Sequence, residues 1–187
     1  KTISSMLGSV DYKTLHTKFY HTNELKQLVR YRHVQMVNRS KTLIELTNIL
    51  DRIFPEFKPF FNERLAGTAM FILKKFKSRA RISKLSNKDY ESIRSYSKGK
   101  LSYVRVQKLK YLARSSVGYE TQSDLLLLKH SIKHFEDLTK MIESVEHEII
   151  HLMENIDQTL TTIPGINIIS AAIIIAELGD FKNFTNS

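Results

Sequence analysis

Apolar residues recur at helical spacing along two long stretches of the chain. From Asn23 to about Phe54 they fall at Leu25, Val29, Met36, Leu43, Leu46, Leu50 and Ile53. That spacing puts them on one face of a helix. Thr22 is positioned to cap its start, and Pro55 and Pro59 end it. Arg32 and Arg39 stand where the stripe calls for apolar side chains. From about Gln122 to Ile156 the apolar positions are Leu125, Leu128, Ile132, Phe135, Leu138, Ile142, Val145, Ile149, Leu152 and Ile156. Their steps of three and four make a heptad seam with one stammer near Phe135–Leu138. Two such helices fit an antiparallel hairpin within one chain and equally a coiled coil between chains.

The intervening region predicts short helices: Leu65–Phe76, Asn87–Tyr96 capped by Ser86 with Asp89 in its first turn, and Tyr103–Arg114 after Gly99. Gly118 closes it. Ser4–Leu7 reads as the end of a helix, and residues 8–22 as a polar, aromatic connector. No run alternates with the period of a strand. The fold class is therefore all-α: long helices as a coiled coil or antiparallel hairpin, a short helical bundle between them, and a C-terminal helix-hairpin-helix. The corresponding divisions are 1–22, a connector after an upstream domain; 23–118, a basic helical linker; 119–157, the coiled-coil helix; and 158–187, the hairpin region.

The hairpin expectation rests on residues 160–180, LTTIPGINIISAAIIIAELGD. Gly165 permits a tight turn and close approach to a phosphate. The unpaired N–H groups at the start of the next helix, with its dipole, make an anion site. Thr162, Pro164, Gly165, Ile166, Asn167 and Ile168 are the candidate DNA contacts. Asn167 stands where a second glycine is usual, and asparagine tolerates left-handed geometry. Ala171 and Ala172 allow close helix packing, while Ile163, Ile166, Ile169, Ile173 and Ile174 would supply the core. The alternative is a structural hairpin that touches no nucleic acid.

Charge sharpens the functional expectation. The net charge is +10. Residues 1–118 hold 25 Lys/Arg against 8 Asp/Glu, a net of +17, whereas 119–187 hold 4 against 11, a net of −7. Such asymmetry points to a polyanion partner, nucleic acid above all. The candidate surface is Arg30, Arg32, Arg39 and Lys41 on the first long helix; Lys74, Lys75, Lys77, Arg79 and Arg81 in one run; and Arg105, Lys108, Lys110 and Arg114 on one helix. Such clusters contact phosphates and position the nucleic acid without reading bases. The plain alternative is a solvated helical surface. For Arg32 and Arg39 it is pairing with carboxylates across the long helices.

Residues 147–151 read HEIIH, the H-E-x-x-H pattern of zinc peptidases. On the seam, Val145, Ile149 and Leu152 face inward, which turns His147 and His151 outward. The pattern lacks an obvious third ligand other than Glu177, and His130 and His134 repeat the spacing upstream. Composition explains both pairs, so no metal-binding or catalytic residue is assigned. The chain has no cysteine, which excludes disulfides and thiolate metal sites. No membrane partner is expected, since no apolar run reaches spanning length. A cytoplasmic location is the expectation. Lys1 opens the chain and Asn186-Ser187 closes it without a stop signal, so a fragment of a longer protein is expected.

LTTIPGINIISAAIIIAELGDFKNF resembles the C-terminal entry segment of the Piv-type insertion-sequence transposases, the DEDD recombinases whose members include enzymes guided by a bridge RNA. ELKQLVRYRHVQMVNRSKTLIELTNILDRIFPEF, residues 24–57, is similar to the long helix of that family, and LARSSVG, residues 112–118, to its linker. The resemblance implies a transposase that performs site-specific DNA transposition and recombination. DNA is the implied partner, together with a guide RNA in the members that use one, and the coiled coil implies a homo-oligomer. The family's four acidic residues and its serine match no position here. The resemblance thus implies a segment inactive alone, without a cofactor of its own, with divalent Mg expected in a nuclease-like domain outside it. The two rivals are a coiled-coil scaffold without nucleic-acid contact and a zinc peptidase built on HEIIH.

Overall fold

The computed structural model describes residues 10–178, with side chains from residue 23 onward. The order is α1 (Val10–Ile53), α2 (Phe57–Phe60), α3 (Thr68–Phe76), α4 (Arg79–Ile82), α5 (Asn87–Tyr96), α6 (Tyr103–Ser115), α7 (Gln122–Glu154), a 3-10 turn (Leu160–Thr162) and α8 (Ile168–Leu178). The described residues contain no strand, so the fold is all-α. The expected helix end at Ser4–Leu7 lies outside the described residues.

The start of the first long helix differs from expectation. Helix α1 begins at Val10, not Asn23, so Thr22 lies inside it and not at its start. Neither proline nor glycine occurs between Val10 and Thr22, and without a breaker the helix runs through the expected connector. Two one-turn helices, α2 and α4, also went unforeseen. Pro59 sits inside α2, and α4 starts on the side chain of Ser78, which accepts from the N–H of Arg81 at 3.1 Å. The expected Ser86 cap is present as a reciprocal box: the N–H of Asp89 donates to Ser86 Oγ, and the N–H of Ser86 donates to Asp89 Oδ2 at 3.0 Å.

The chain forms two compact units, Lys1–Val37 with Thr139–Ser187, and Asn38–Leu138. In the first, Leu25 and Val29 of α1 pack with Ile149 and Met153 of α7 and with Ala171, Ala172, Ile175 and Ala176 of α8. In the second, Leu46, Leu50 and Ile53 of α1 pack with Leu128 and Ile132 of α7 and with the short helices. Within each unit the long helices run antiparallel and pair inside the chain. Every seam position named from the sequence is buried or half-buried. Burying that apolar surface is the main favourable term in folding.

Phe54, Phe57, Phe60 and Phe61 form the aromatic centre of the Asn38–Leu138 unit. Ring centroids lie 5.5 Å apart for Phe54–Phe57 and 5.0 Å for Phe57–Phe61. Beside it, a polar latch ties the end of α1 to the segment after α6. Glu56 accepts from Ser116 Oγ at 2.6 Å and from the N–H of Val117 at 3.2 Å. The N–H of Tyr119 donates to the carbonyl of Arg52 at 3.0 Å, and Arg52 reaches Asp124 at 2.8 Å.

Burial works to raise the Glu56 carboxyl, but the bonds from Ser116 and Val117, with Arg79 nearby, hold it below its ordinary value of 4.5. Asp89 is lowered first by the N–H of Ser86. A carboxyl lowered on folding stabilises the fold above its unfolded pKa and loses that contribution as pH falls through the folded one. The urea midpoint is therefore expected to drop as pH falls below about 4.5. Glu56→Gln should shrink that acid loss while lowering the neutral midpoint. An identical acid limb in the variant would remove Glu56 from this account.

Candidate nucleic-acid interface

The hairpin segment starts as a 3-10 turn and reverses at Pro164-Gly165. Gly165 adopts φ +90°, and a Cβ placed there would meet nothing within 4 Å. The turn is thus open to an approaching group. Asn167 does not adopt the expected left-handed conformation, since it is not among the positive-φ residues. Its Oδ1 instead accepts from the N–H of Ser170 at 2.8 Å, which makes it the cap of α8. Among the described residues, the N–H groups of Gly165, Asn167, Ile168 and Ile169 donate to no protein acceptor. With the positive end of the α8 dipole they can receive a phosphate.

Thr162, Pro164, Gly165 and Asn167 are exposed, and Ile166 and Ile168 half-buried. Residues 157–178 contain no Lys or Arg, so long-range attraction must come from elsewhere. The expected core of this segment needs correction. Ile163 is 48% and Ile173 39% exposed, whereas Ala171, Ala172, Ile175 and Ala176 are buried. The tight contact runs along the alanine side, because only small residues let α8 approach its neighbours closely.

Asn167→Ala is expected to cost about 1 kcal/mol, the usual value of a lost cap. Hydrogen exchange in the first turn of α8 would read it. Asn167→Asp should retain most of the protection; equal loss in both variants would argue against a capping role.

The basic residues separate by what they already bind. In the Lys1–Val37 and Thr139–Ser187 unit, Arg30 holds Glu177 through two bonds, Nε to Oε1 at 3.0 Å and Nη2 to Oε2 at 3.1 Å. The hydrogen bond and charge of Glu177 raise the Arg30 guanidinium, and Arg30 in turn lowers Glu177. Arg32 is half-buried and donates to Glu146 at 2.7 Å. That pairing is the alternative weighed for Arg32, and it explains a cation on the apolar stripe.

In the Asn38–Leu138 unit, Lys74 pairs with Glu136 and Arg81 with Asp89. Four others donate to backbone carbonyls: Arg79 to Ser116, Arg105 to Phe60, Lys110 to Leu85 and Arg114 to Ser83. Arg105 also lies over the Phe60 ring, 5.2 Å from its centroid. These cations stitch α6 to the ends of the short helices, where carbonyls lack partners. They keep their positive charge while doing so. Lys75 bonds to Ser92 Oγ. Lys41, Lys77 and Lys108 are exposed and Arg39 half-buried, and none has an acidic partner among the described residues.

His147, Glu148 and His151 are all exposed on α7, and Glu177 is occupied by Arg30 and Lys26. Among the described residues no three His, Asp or Glu converge as metal ligands. No helix of the described residues is long and apolar enough to cross a membrane.

Residues 157–187 match the family model described as Transposase IS116/IS110/IS902 family. The matched segment contains the Pro164-Gly165 turn and all of α8. It is the same segment whose resemblance to insertion-sequence transposases was evident in the sequence, and the match is consistent with a fragment of such a transposase. No curated protein and no solved structure matches the chain.

Outside the matched segment, a further set of cations was not evident as a cluster in the sequence. Lys84, Lys88, Lys98 and Lys100 are exposed around α5 without an acidic partner among the described residues. Their signal was present in SKLSNKDYESIRSYSKGK, residues 83–100. They are scattered among serines and acids rather than gathered in one run, so the fold, not the spacing, brings them to the surface together.

Proposed function

We propose that this chain is the nucleic-acid-binding and self-associating part of a transposase that cuts and rejoins DNA at specific sites. The family match at residues 157–187 carries the reading. The charge of the Asn38–Leu138 unit supports nucleic-acid contact: 21 Lys/Arg against 10 Asp/Glu, a net of +11. DNA, alone or with a guide RNA, is the partner whose phosphates this charge suits. Self-association is supported by Val34 and Val37, spaced three apart on α1 and exposed at 51% and 40%. They give α1 an apolar face beyond its intramolecular seam.

The test is binding to labelled duplex DNA and to a structured RNA. Neutralising Arg39, Lys41, Lys77 and Lys108 together is expected to weaken binding about tenfold or more. Loss on changing Gly165 alone, with the neutralised variant unaffected, would move the site to the hairpin. Self-association without binding would leave the scaffold reading. The pairing of Arg30, Arg32, Lys74 and Arg81 with carboxylates favours that second reading, because paired cations attract polyanions less.

A further inference from the structure

Tyr96, at the end of α5, lies against Phe71 of α3 with ring centroids 4.1 Å apart and an interplanar angle of 10°. Phe71 is half-buried, yet Tyr96 is 51% exposed. One face of the tyrosine ring is therefore covered and fixed while the other stays open to solvent.

The surroundings are cationic. The Lys75 ammonium sits 5.7 Å from the centroid of Phe71 and 5.6 Å from that of Phe76, and bonds to Ser92, one turn before Tyr96 on α5. Just past Tyr96 the chain reverses through Lys98 at φ 51° and Gly99 at φ 77°. The N–H of Gly99 returns to the carbonyl of Arg94 at 3.0 Å. That reversal leaves Lys98 and Lys100 exposed two and four residues beyond the ring. An open depression lined by Glu91, Arg94, Ser95, Lys98 and Gly99 adjoins it.

We infer that the Phe71–Tyr96 stack is a platform for one unpaired base of a single-stranded nucleic acid, whose backbone phosphates lie along Lys98 and Lys100. This rests on the nucleic-acid reading above and adds the form of the ligand. A duplex keeps its bases stacked on one another and offers no free face to Tyr96. A single strand does, and stacking on aromatic rings beside cations is how such strands are held without base-specific contacts.

The experiment uses the full chain with Tyr96→Leu and Tyr96→Phe, against a labelled oligouridine, an oligothymidine and a blunt DNA duplex. Tyr96→Leu is expected to weaken both single strands about tenfold or more, with duplex binding unchanged and only a small drop in melting temperature from the lost ring contact. Tyr96→Phe should bind as the unaltered chain does. The relative affinities of the two strands then tell whether RNA or DNA is preferred. Duplex binding with no effect of Tyr96→Leu on single strands overturns the platform and leaves the nucleic-acid reading intact. An equal loss on duplex and single strands in Tyr96→Leu overturns it too. Absence of binding to any of the three probes overturns both.

Discussion

Gly118→Ala is expected to lower the melting temperature by about 10 °C. A Cβ at this position would lie 2.4 Å from the carbonyl oxygen of Ile53, 2.5 Å from its carbon and 2.9 Å from the nitrogen of Phe54. All three are backbone atoms, so no side chain can swing aside. Ile53 and Phe54 are each 1% exposed, and their backbone cannot retreat without opening the core. The loop must move instead. It would then lose the bond from the N–H of Tyr119 to Arg52 and loosen Ser116 and Val117 from Glu56. Overpacking costs typically 1–3 kcal/mol and sometimes more, and a lost hydrogen bond adds about 1 kcal/mol. Thermal unfolding followed by circular dichroism checks this. A shift of under about 2 °C would mean that the loop relaxes freely and is no latch.

Phe57→Ala should be at least as damaging. Phe57 is fully buried and packs tilted against Phe54 and Phe61, between the end of α1 and the short helices. Removing its ring leaves a cavity in the buried cluster, and Phe→Ala in such sites costs roughly 3–5 kcal/mol. The urea midpoint should fall steeply with the slope unchanged, because the folded surface is the same. Phe57→Leu should recover about half of the loss, since it restores volume but not the ring contacts. A Phe57→Ala midpoint close to that of the unaltered chain would show that the unit does not depend on this cluster.

Where hydrophobic period and breakers agreed, the sequence was a good guide. The α7 seam from Leu125 to Ile156 is inward at every position, because burial enforces its period against α1. Asn87–Tyr96 came with its cap because Ser86 and Asp89, three residues apart, bond to each other's backbone. Local chemistry of that kind is readable without the fold. The long helices' choice of an intramolecular partner was not readable, since a heptad seam is the same whether its partner is in the chain or another copy. Asn167 was misassigned for a related reason: asparagine suits both a left-handed turn and a helix cap, and only the course of the backbone decides.

The basic candidates were the least legible. Composition counts charge but does not tell which cations are occupied. Arg30 and Arg32 meet Glu177 and Glu146, more than a hundred residues away in sequence. Arg79, Arg105, Lys110 and Arg114 reach carbonyls at helix ends that could not be located before the short helices were. Lys98, Lys100 and the open face of Tyr96 escaped notice because only the fold shows that Tyr96 stacks on Phe71 with its other face exposed.

The most direct test of the nucleic-acid claim is the salt dependence of binding to a labelled DNA duplex. If the net +11 of the Asn38–Leu138 unit meets phosphates, the logarithm of the affinity should fall linearly with the logarithm of salt concentration. Its slope should correspond to several released counterions, near −0.9 per phosphate contact. Measurable binding at low salt with that steep decline is the predicted result. No binding at low salt, or binding indifferent to salt, would contradict the account and leave a helical scaffold.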